Sequence, residues 1–290
     1  MPSQPAATSA GAEAFKSATR RQWDQAAPGW NAHTEQIREW LRPATEAMLE
    51  MAGVRRGMRV LDVAAGAGDQ TLDIARRVGL EGFVLATDLS ASILEFAKGN
   101  AQRAGHANVG TMVADGESLQ IDAGSFDATV CRLGLMLFPD PRQGLREMRR
   151  ALKPGGGICT MVFSGPQTNP CVRTLLSTAL KHAGLPPRDP FAPGGLLSLG
   201  KPGLIDEMFR DAGFKDVATT RMDAPFSLPT AQEYLAFIRT SASPLQQILG
   251  KLGAEAADAA WKDMEEQLKV FETAEGWTGP NELLLTAARR

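Results

Sequence analysis

Asp62, Gly66, Gly68, Asp69 and Asp88 fall within one run, RVLDVAAGAGDQTLDIARRVGLEGFVLATDLS, from Arg59 to Ser90. Two glycines set between acids let a chain turn tightly and bring its backbone close to a ligand. The acids decide what kind of ligand suits the turn. A pyrophosphate would be repelled by Asp62 and Asp69, whereas a molecule carrying an ammonium and a sulfonium would be attracted. Asp88 offers acceptors to a pair of ribose hydroxyls. The dinucleotide fingerprint wants a third glycine three residues after the second, and Thr71 stands there.

These residues need elements to position them. Arg59–Val63 is short, β-branched and mostly apolar, as a strand buried on both faces of a parallel sheet should be. Leu72, Ile74, Ala75 and Val78 then recur at helical spacing. Residues 82–87 read as a second buried strand ending on Asp88, which puts that carboxylate at the carboxyl edge, where open α/β sheets bind ligands. Ser90 suits a helix cap, and Ile93, Leu94, Phe96 and Ala97 give an amphipathic helix to about Gly105. A third strand, 108–114, ends on Asp115-Gly116, and a fourth, 125–132, ends on Arg132. A helix over 143–152, a KPGGG stop and a fifth strand over 158–163 complete the alternation.

VLDVAAGAGD, followed by ATDLS, resembles the cofactor site of class I S-adenosylmethionine-dependent methyltransferases, in particular the ubiquinone/menaquinone-biosynthesis-like (methyltransferase type 11) group. The matching blocks run from about Gln22 to Phe163 and include QWDQAAPGWNAHTEQI, LGLMLFPDP and LKPGG. The resemblance implies a Rossmann-like, doubly wound, seven-stranded and mostly parallel sheet with a helical cap over its carboxyl edge. It implies S-adenosyl-L-methionine as cofactor, contacted by Asp62, Ala64, Gly66, Ala67, Gly68, Asp88, Leu89, Asp115, Gly116, Arg132 and Leu133. An acid at the place of Asp115 accepts from the adenine amino group in that family. Relatives carry a small or polar residue where this chain has Arg132, so the arginine is read either as binding an anionic acceptor or as turned to solvent or to an acid. Met136, Leu137 and Phe138 are placed along the acceptor pocket, or simply in the core.

At 290 residues with 43% hydrophobic content, one domain with an elaborate cap is expected. The expected division is a disordered tail (1–12), an N-terminal helical lid (13–52) broken at Ala27-Pro28-Gly29, and a cofactor-binding core (53–164). A cap segment (165–202), a core helix and strand (203–225), a helical cap insertion (226–278) and a last core strand (279–290) follow. Thirty-one basic against 33 acidic residues leave a net charge of −2, with no global pull toward nucleic acid or an anionic membrane. No leader or spanning segment is read, so the cytoplasm is the expected home. Cys131, Cys159 and Cys171 lack metal spacing, and no metal is expected.

Methyl transfer from a sulfonium is an in-line displacement in which positioning and exclusion of water carry most of the rate. A base is needed only if the acceptor must lose a proton, and His33, Tyr234 and His182 are the candidates. The reading is a methyltransferase acting on a small organic acceptor (quinone-like, phenolic or natural-product), by O- or C-methylation, as a monomer or homodimer. An N-methyltransferase of an amine or amino acid and a cofactor-binding protein that transfers nothing are the alternatives. A nicotinamide oxidoreductase is disfavoured by Thr71 and the acids around the turn.

Overall fold

The computed structural model describes residues 9–290. Two helices, α1 (Ser9–Ala32) and α2 (Thr34–Met51), precede an alternating run: β1 (Arg59–Val63), α3 (Asp69–Val78), β2 (Phe83–Asp88), α4 (Ala91–Arg103), β3 (Val109–Val113), β4 (Phe126–Arg132), α5 (Pro141–Ala151) and β5 (Leu152–Phe163). The chain continues through α6 (Pro170–His182), α7 (Leu204–Asp211), β6 (Lys215–Asp223), β7 (Phe226–Leu228), α8 (Ala231–Ser241), α9 (Ser243–Leu249) and α10 (Ala254–Leu268). It ends with β8 (Glu272–Thr273), β9 (Gly276–Gly279) and β10 (Glu282–Arg289).

Seven strands form one sheet in the order β3-β2-β1-β4-β5-β10-β6. The pairs among β1 to β5 are all parallel, and β10 alone is reversed, lying antiparallel between β5 and β6. The fold class is the one expected: Rossmann-like, doubly wound and mostly parallel. The strand order reverses between β1 and β4, so a crevice opens at their carboxyl ends. Val60, Leu61 and Val63 are at most 1% exposed, because helices cover both faces of a parallel sheet. Ser90 caps α4 by accepting from the Ile93 amide at 3.2 Å, and Asp140 caps α5 by accepting from Gln143 at 3.0 Å.

Several sequence expectations need correction. Residues 1–8 of the expected tail lie outside the described residues, and residues 9–12 already begin α1. The break expected at Ala27-Pro28-Gly29 is absent: α1 continues to Ala32 and the chain bends at His33. Tertiary packing outweighs the proline there. Ala26 and Ala27 are buried, and a Cβ on Gly29 would stand 2.4 Å from the Thr240 carbonyl oxygen of α8. LKPGG does not separate α5 from its strand. β5 begins at Leu152, and the register jumps from Phe126↔Leu152 to Ala128↔Gly157, so the glycines form a bulge with Gly155 at φ +76°.

The insertion between β6 and β10 contains a small sheet, β7-β9-β8, that was not foreseen. It packs on the helices through Trp277, which is fully buried, stacks on Tyr234 at 4.4 Å and donates from Nε1 to the Leu268 carbonyl at 2.8 Å. Trp40 stacks on Phe226 at 4.7 Å and donates to the Ala224 carbonyl at 2.8 Å, fixing α2 to the same cluster. Cys131, Cys159 and Cys171 are buried, and burial pushes all three thiols up, Cys131 and Cys171 to about 12.

Candidate functional site

The carboxyl ends of β1 and β4 meet in two facing turns. Ala64, just past β1, sits at φ +56°, and Leu133, just past β4, sits at φ +55°. Left-handed backbone costs a non-glycine residue about 1–2 kcal/mol and persists where surrounding structure enforces it. Here the enforcement is visible. The Ala65 amide donates to the Thr87 carbonyl at 2.9 Å, and the Leu133 amide to the Met161 carbonyl at 2.8 Å. A Cβ on Gly134 would stand 2.4 Å from that of Ala64, so glycine alone lets the turns touch. Gly66 and Gly68 take φ +58° and +83°, as a tight turn into α3 requires.

Asp88, at the end of β2, reaches across to this turn. Its Oδ2 accepts from the Gly66 amide and its Oδ1 from the Ser90 amide, both at 3.0 Å. Burial raises its carboxyl above the ordinary range despite these bonds. Asp62 faces the other way. It is fully buried and accepts from Gln70 Nε2 at 2.7 Å and Thr71 Oγ1 at 2.6 Å, and burial pushes its carboxyl up to about 7. Thr71, standing where a dinucleotide site has glycine, is therefore the partner that a buried acid needs.

Between the turns and the helices lies a cavity of about 970 Å³, counting its solvent-filled mouth. Ala64, Gly66, Asp88, Leu89, Asp115, Gly116, Arg132 and Leu133 line it together, out of the residues expected at a cofactor. Asp62, Ala67 and Gly68 do not. Asp62 anchors the first turn of α3, Ala67 packs with Ala27 and Ile93, and a Cβ on Gly68 would stand 2.9 Å from the Cβ of Ala97 on α4. These three shape the turn from behind.

The lid supplies the opposite wall through Lys16, Thr19, Trp23 and Trp30 of α1 and Leu41 of α2. Trp23 and Trp30 meet edge to face at 5.6 Å. Lys16 Nζ lies 2.6 Å from Asp115 Oδ2 and 2.6 Å from Glu117 Oε2. Burial alone would lower the Lys16 ammonium, but the hydrogen bonds to Asp115 and Glu117 outweigh it and hold the group above its ordinary value. Asp24, next to Trp23 on α1, accepts from Ser90 Oγ at 2.5 Å. Sequence reasoning missed Lys16, Thr19, Gln70 and Glu117 as cavity residues. Only Gln70, next to Asp69 in the first turn of α3, carried a local signal.

Arg132 turns neither to solvent nor to open space. Its Nη2 is paired with Asp69 Oδ2 and its Nη1 donates to Thr45 Oγ1 at 3.0 Å, with the two charged side chains 3% and 2% exposed. Phe138 lines the cavity, but its ring covers Gly116, where a Cβ would stand 2.3 Å away, so it walls the Asp115 end. Met136 is off the wall, 2% exposed, with its carbonyl taking Ser198 Oγ at 2.9 Å.

The expected catalytic bases are also elsewhere. His33 engages Gln36 Oε1 at 3.1 Å and Thr240 Oγ1 at 3.0 Å and sits edge-on to Phe237, joining lid to cap. Tyr234 lies inside the cap's aromatic cluster, where burial drives its hydroxyl far above the ordinary range. His182 pairs with Asp263 at 2.9 Å, away from the cavity. His33 thus joins the lid to α8, and Tyr234 packs within the cap; neither lines the cavity. Among the described residues, no three His, Cys, Asp or Glu are grouped to hold a metal, and no helix is long and apolar enough to cross a membrane.

The ubiquinone/menaquinone biosynthesis C-methyltransferase UbiE of Idiomarina loihiensis is 40% identical over 119 residues, 41% of this chain and 47% of the relative. The chain thus spans about half the length of the curated relatives it matches. The YcgJ protein of Bacillus subtilis superposes with a TM-score of 0.58 at 21% identity, covering 86% of this chain and 98% of that one. A phosphoethanolamine N-methyltransferase 2 of Haemonchus contortus, in complex with S-adenosylhomocysteine, superposes with a TM-score of 0.55 at 19% identity, over 90% of this chain and 58% of that one. These structural likenesses establish the fold. Residues 35–179, half of the chain, match the ubiE/COQ5 methyltransferase family, from α2 through the sheet edge just described to α6, and the chain belongs to that family.

Proposed function

We propose that this chain is an S-adenosylmethionine-dependent methyltransferase acting on a small organic acceptor. The observation that carries the reading is the cavity itself. Asp88 is held by the Gly66 and Ser90 amides at one side, Asp115 and Gly116 stand at another, and Arg132 with Asp69 closes the deep end. The donor set fits an adenosyl amino acid in charge and kind. Asp88 offers carboxylate oxygens to a ribose, Asp115 an acceptor to the adenine amino group, and Leu89 and Phe138 apolar walls to the ring. The sulfonium supplies the leaving group when the cofactor is bound. The chain's part is to orient the acceptor and exclude water, which α1 and α2 do by roofing the cavity with Trp23, Trp30 and Leu41.

Among the described residues, the cavity wall offers no histidine or tyrosine. That favours an acceptor already nucleophilic as it binds, such as an electron-rich ring carbon or a phenolate of a quinol-like molecule, in keeping with the C-methyltransferase named among the relatives. Monomer or homodimer both suit the fold. Calorimetric titration with S-adenosylhomocysteine, with NAD as control, tests the cofactor. Binding of the former at micromolar or tighter dissociation constants, with none of NAD, is expected, and the reverse would end the reading. A panel of quinols, phenols and amines, followed by S-adenosylhomocysteine release, then tests the acceptor.

A further inference from the structure

The amino-terminal end of α1 runs along the cavity and is tied down at one point. Further along the helix, Asp24 takes Ser90 Oγ and the Ser92 amide, and Asn31 Oδ1 accepts from Asn100 at 3.0 Å, so that half is moored on α4. Over residues 9–23, about 22 Å of helix, Lys16 alone carries a described side-chain hydrogen bond or ion pair to another part of the chain. Thr19 and Trp23 of the same stretch line the cavity. Both carboxylates that hold Lys16 are otherwise engaged. Asp115 Oδ1 accepts from the Glu117 amide at 2.9 Å, which leaves Oδ2 to the ammonium. Glu117 Oε1 accepts from the amide of Asp140, the N-cap of α5, at 2.6 Å, which leaves Oε2. Lys16 therefore stands on the one oxygen that Asp115 could turn to an adenine amino group.

We propose that Lys16, Asp115 and Glu117 form a latch that holds the amino-terminal end of α1 over the cavity, and that the entering cofactor opens it by drawing Asp115 away from Lys16. The opening half of this assignment rests on the function proposed above. Glu117 is the permanent catch: its side chain is 7% exposed against 29% for Asp115, and its other oxygen is fixed at the start of α5. Asp115 is the contested acceptor, wanted by the lid and by the base alike. With the base in place, Lys16 can return to Glu117 and close the helix over the ligand. Part-exposed ion pairs are individually weak and are screened by salt, which suits a catch that must open in every cycle.

The probes are S-adenosylhomocysteine, whose one ammonium and one carboxylate leave it without net charge, and acrylamide, a neutral quencher of tryptophan. Full-length wild type, Lys16→Met and Glu117→Gln are compared, with a thermal melt to confirm that each is folded and Trp23→Phe to assign the lid signal. Stopped-flow fluorescence gives the association rate of S-adenosylhomocysteine at about 0.05 M and about 0.5 M salt, under weak and strong screening. The wild-type rate should rise with salt. Lys16→Met is expected to raise it about 3–30-fold at low salt, the worth of two part-exposed ion pairs, and to abolish the salt dependence. It should also raise acrylamide quenching of Trp23 in protein without ligand. Glu117→Gln, which leaves Asp115 in place, should raise the rate by about two- to fivefold. An unchanged association rate with faster dissociation would overturn the proposal, because Lys16 would then only clamp a bound ligand. Equal quenching in wild type and Lys16→Met would overturn it whether or not S-adenosylhomocysteine binds. Raised quenching in Lys16→Met, with no S-adenosylhomocysteine bound by any variant, would uphold the latch and overturn the cofactor as what opens it.

Discussion

Gly134→Ala isolates the contact between the two turns that frame the cavity. Gly134 sits at φ −105°, ψ −43°, where alanine is allowed, so any effect is steric rather than conformational. The added Cβ would stand 2.4 Å from the Cβ of Ala64 and 3.2 Å from the sulfur of Cys131. Carbon atoms rest at about 3.5–4.0 Å, so the turns must part by roughly 1 Å. Overpacking of this kind costs about 1–3 kcal/mol. In a domain of this size that lowers the melting temperature by roughly 2–12 °C, and S-adenosylhomocysteine affinity should fall with it. Ala64→Gly removes the opposing Cβ and relieves about 1–2 kcal/mol of left-handed backbone cost, against about 0.5–1 kcal/mol of added chain entropy. Alone it should be close to neutral. Combined, the two substitutions should recover most of the loss, a coupling of about 1–3 kcal/mol in a double-mutant cycle read by calorimetry. Additive effects would refute the claim that Ala64 dictates Gly134.

Other outcomes follow from the same geometry. Asp88→Asn should weaken S-adenosylhomocysteine by about 1.5–3 kcal/mol, since a carboxylate acceptor is lost. Titration showing unchanged affinity would remove Asp88 from the site. Tyr234→Phe and His33→Ala should leave kcat within about twofold once an acceptor is found, because neither lines the cavity. His33→Ala should instead lower the melting temperature through its lost bond to Thr240. For pH, Asp62 carries the clearest sign. Its folded carboxyl is raised to about 7, so the folded state holds the proton more tightly than the unfolded chain. Its contribution to stability is full below the ordinary carboxylate value and is lost as pH climbs through about 7. Melting temperature should fall between pH 5 and pH 8, and Asp62→Asn should flatten that slope.

Local chemistry carried much of the site. A strand, a glycine turn and a helix are each encoded within ten residues, so Gly66 at positive φ and Asp88 at the end of β2 could be read directly from RVLDVAAGAGD and ATDLS. What could not be read is where a side chain meets a distant one. Asp62 looked like a ligand acid because of its place in the motif. Its orientation is set by Gln70 and Thr71, a turn of helix later. Arg132 gave no hint of Thr45, eighty-seven positions away. His33 and Tyr234 attracted attention by residue type, yet their fate depends on how α8 settles against Trp277, Phe226 and the lid. The strands β7, β8 and β9 are three, two and four residues long, too short to show alternation.

The place of β10 has a consequence for how such a protein can diversify. Asp223 and Glu282 are register partners in the sheet, so everything from 224 to 281 is a loop whose two ends are fixed neighbours on the scaffold. The entropy of closing a loop grows only with the logarithm of its length, roughly 0.6 kcal/mol per doubling. Loop closure therefore sets little limit on the length of the α8–α10 insertion; what a replacement must restore is its packing, Thr240 against Gly29 and His33 and Phe226 on Trp40. Diversification of that segment is thus bounded by the faces of α1 and α2 it must cover, and not by the cost of closing its ends on the sheet.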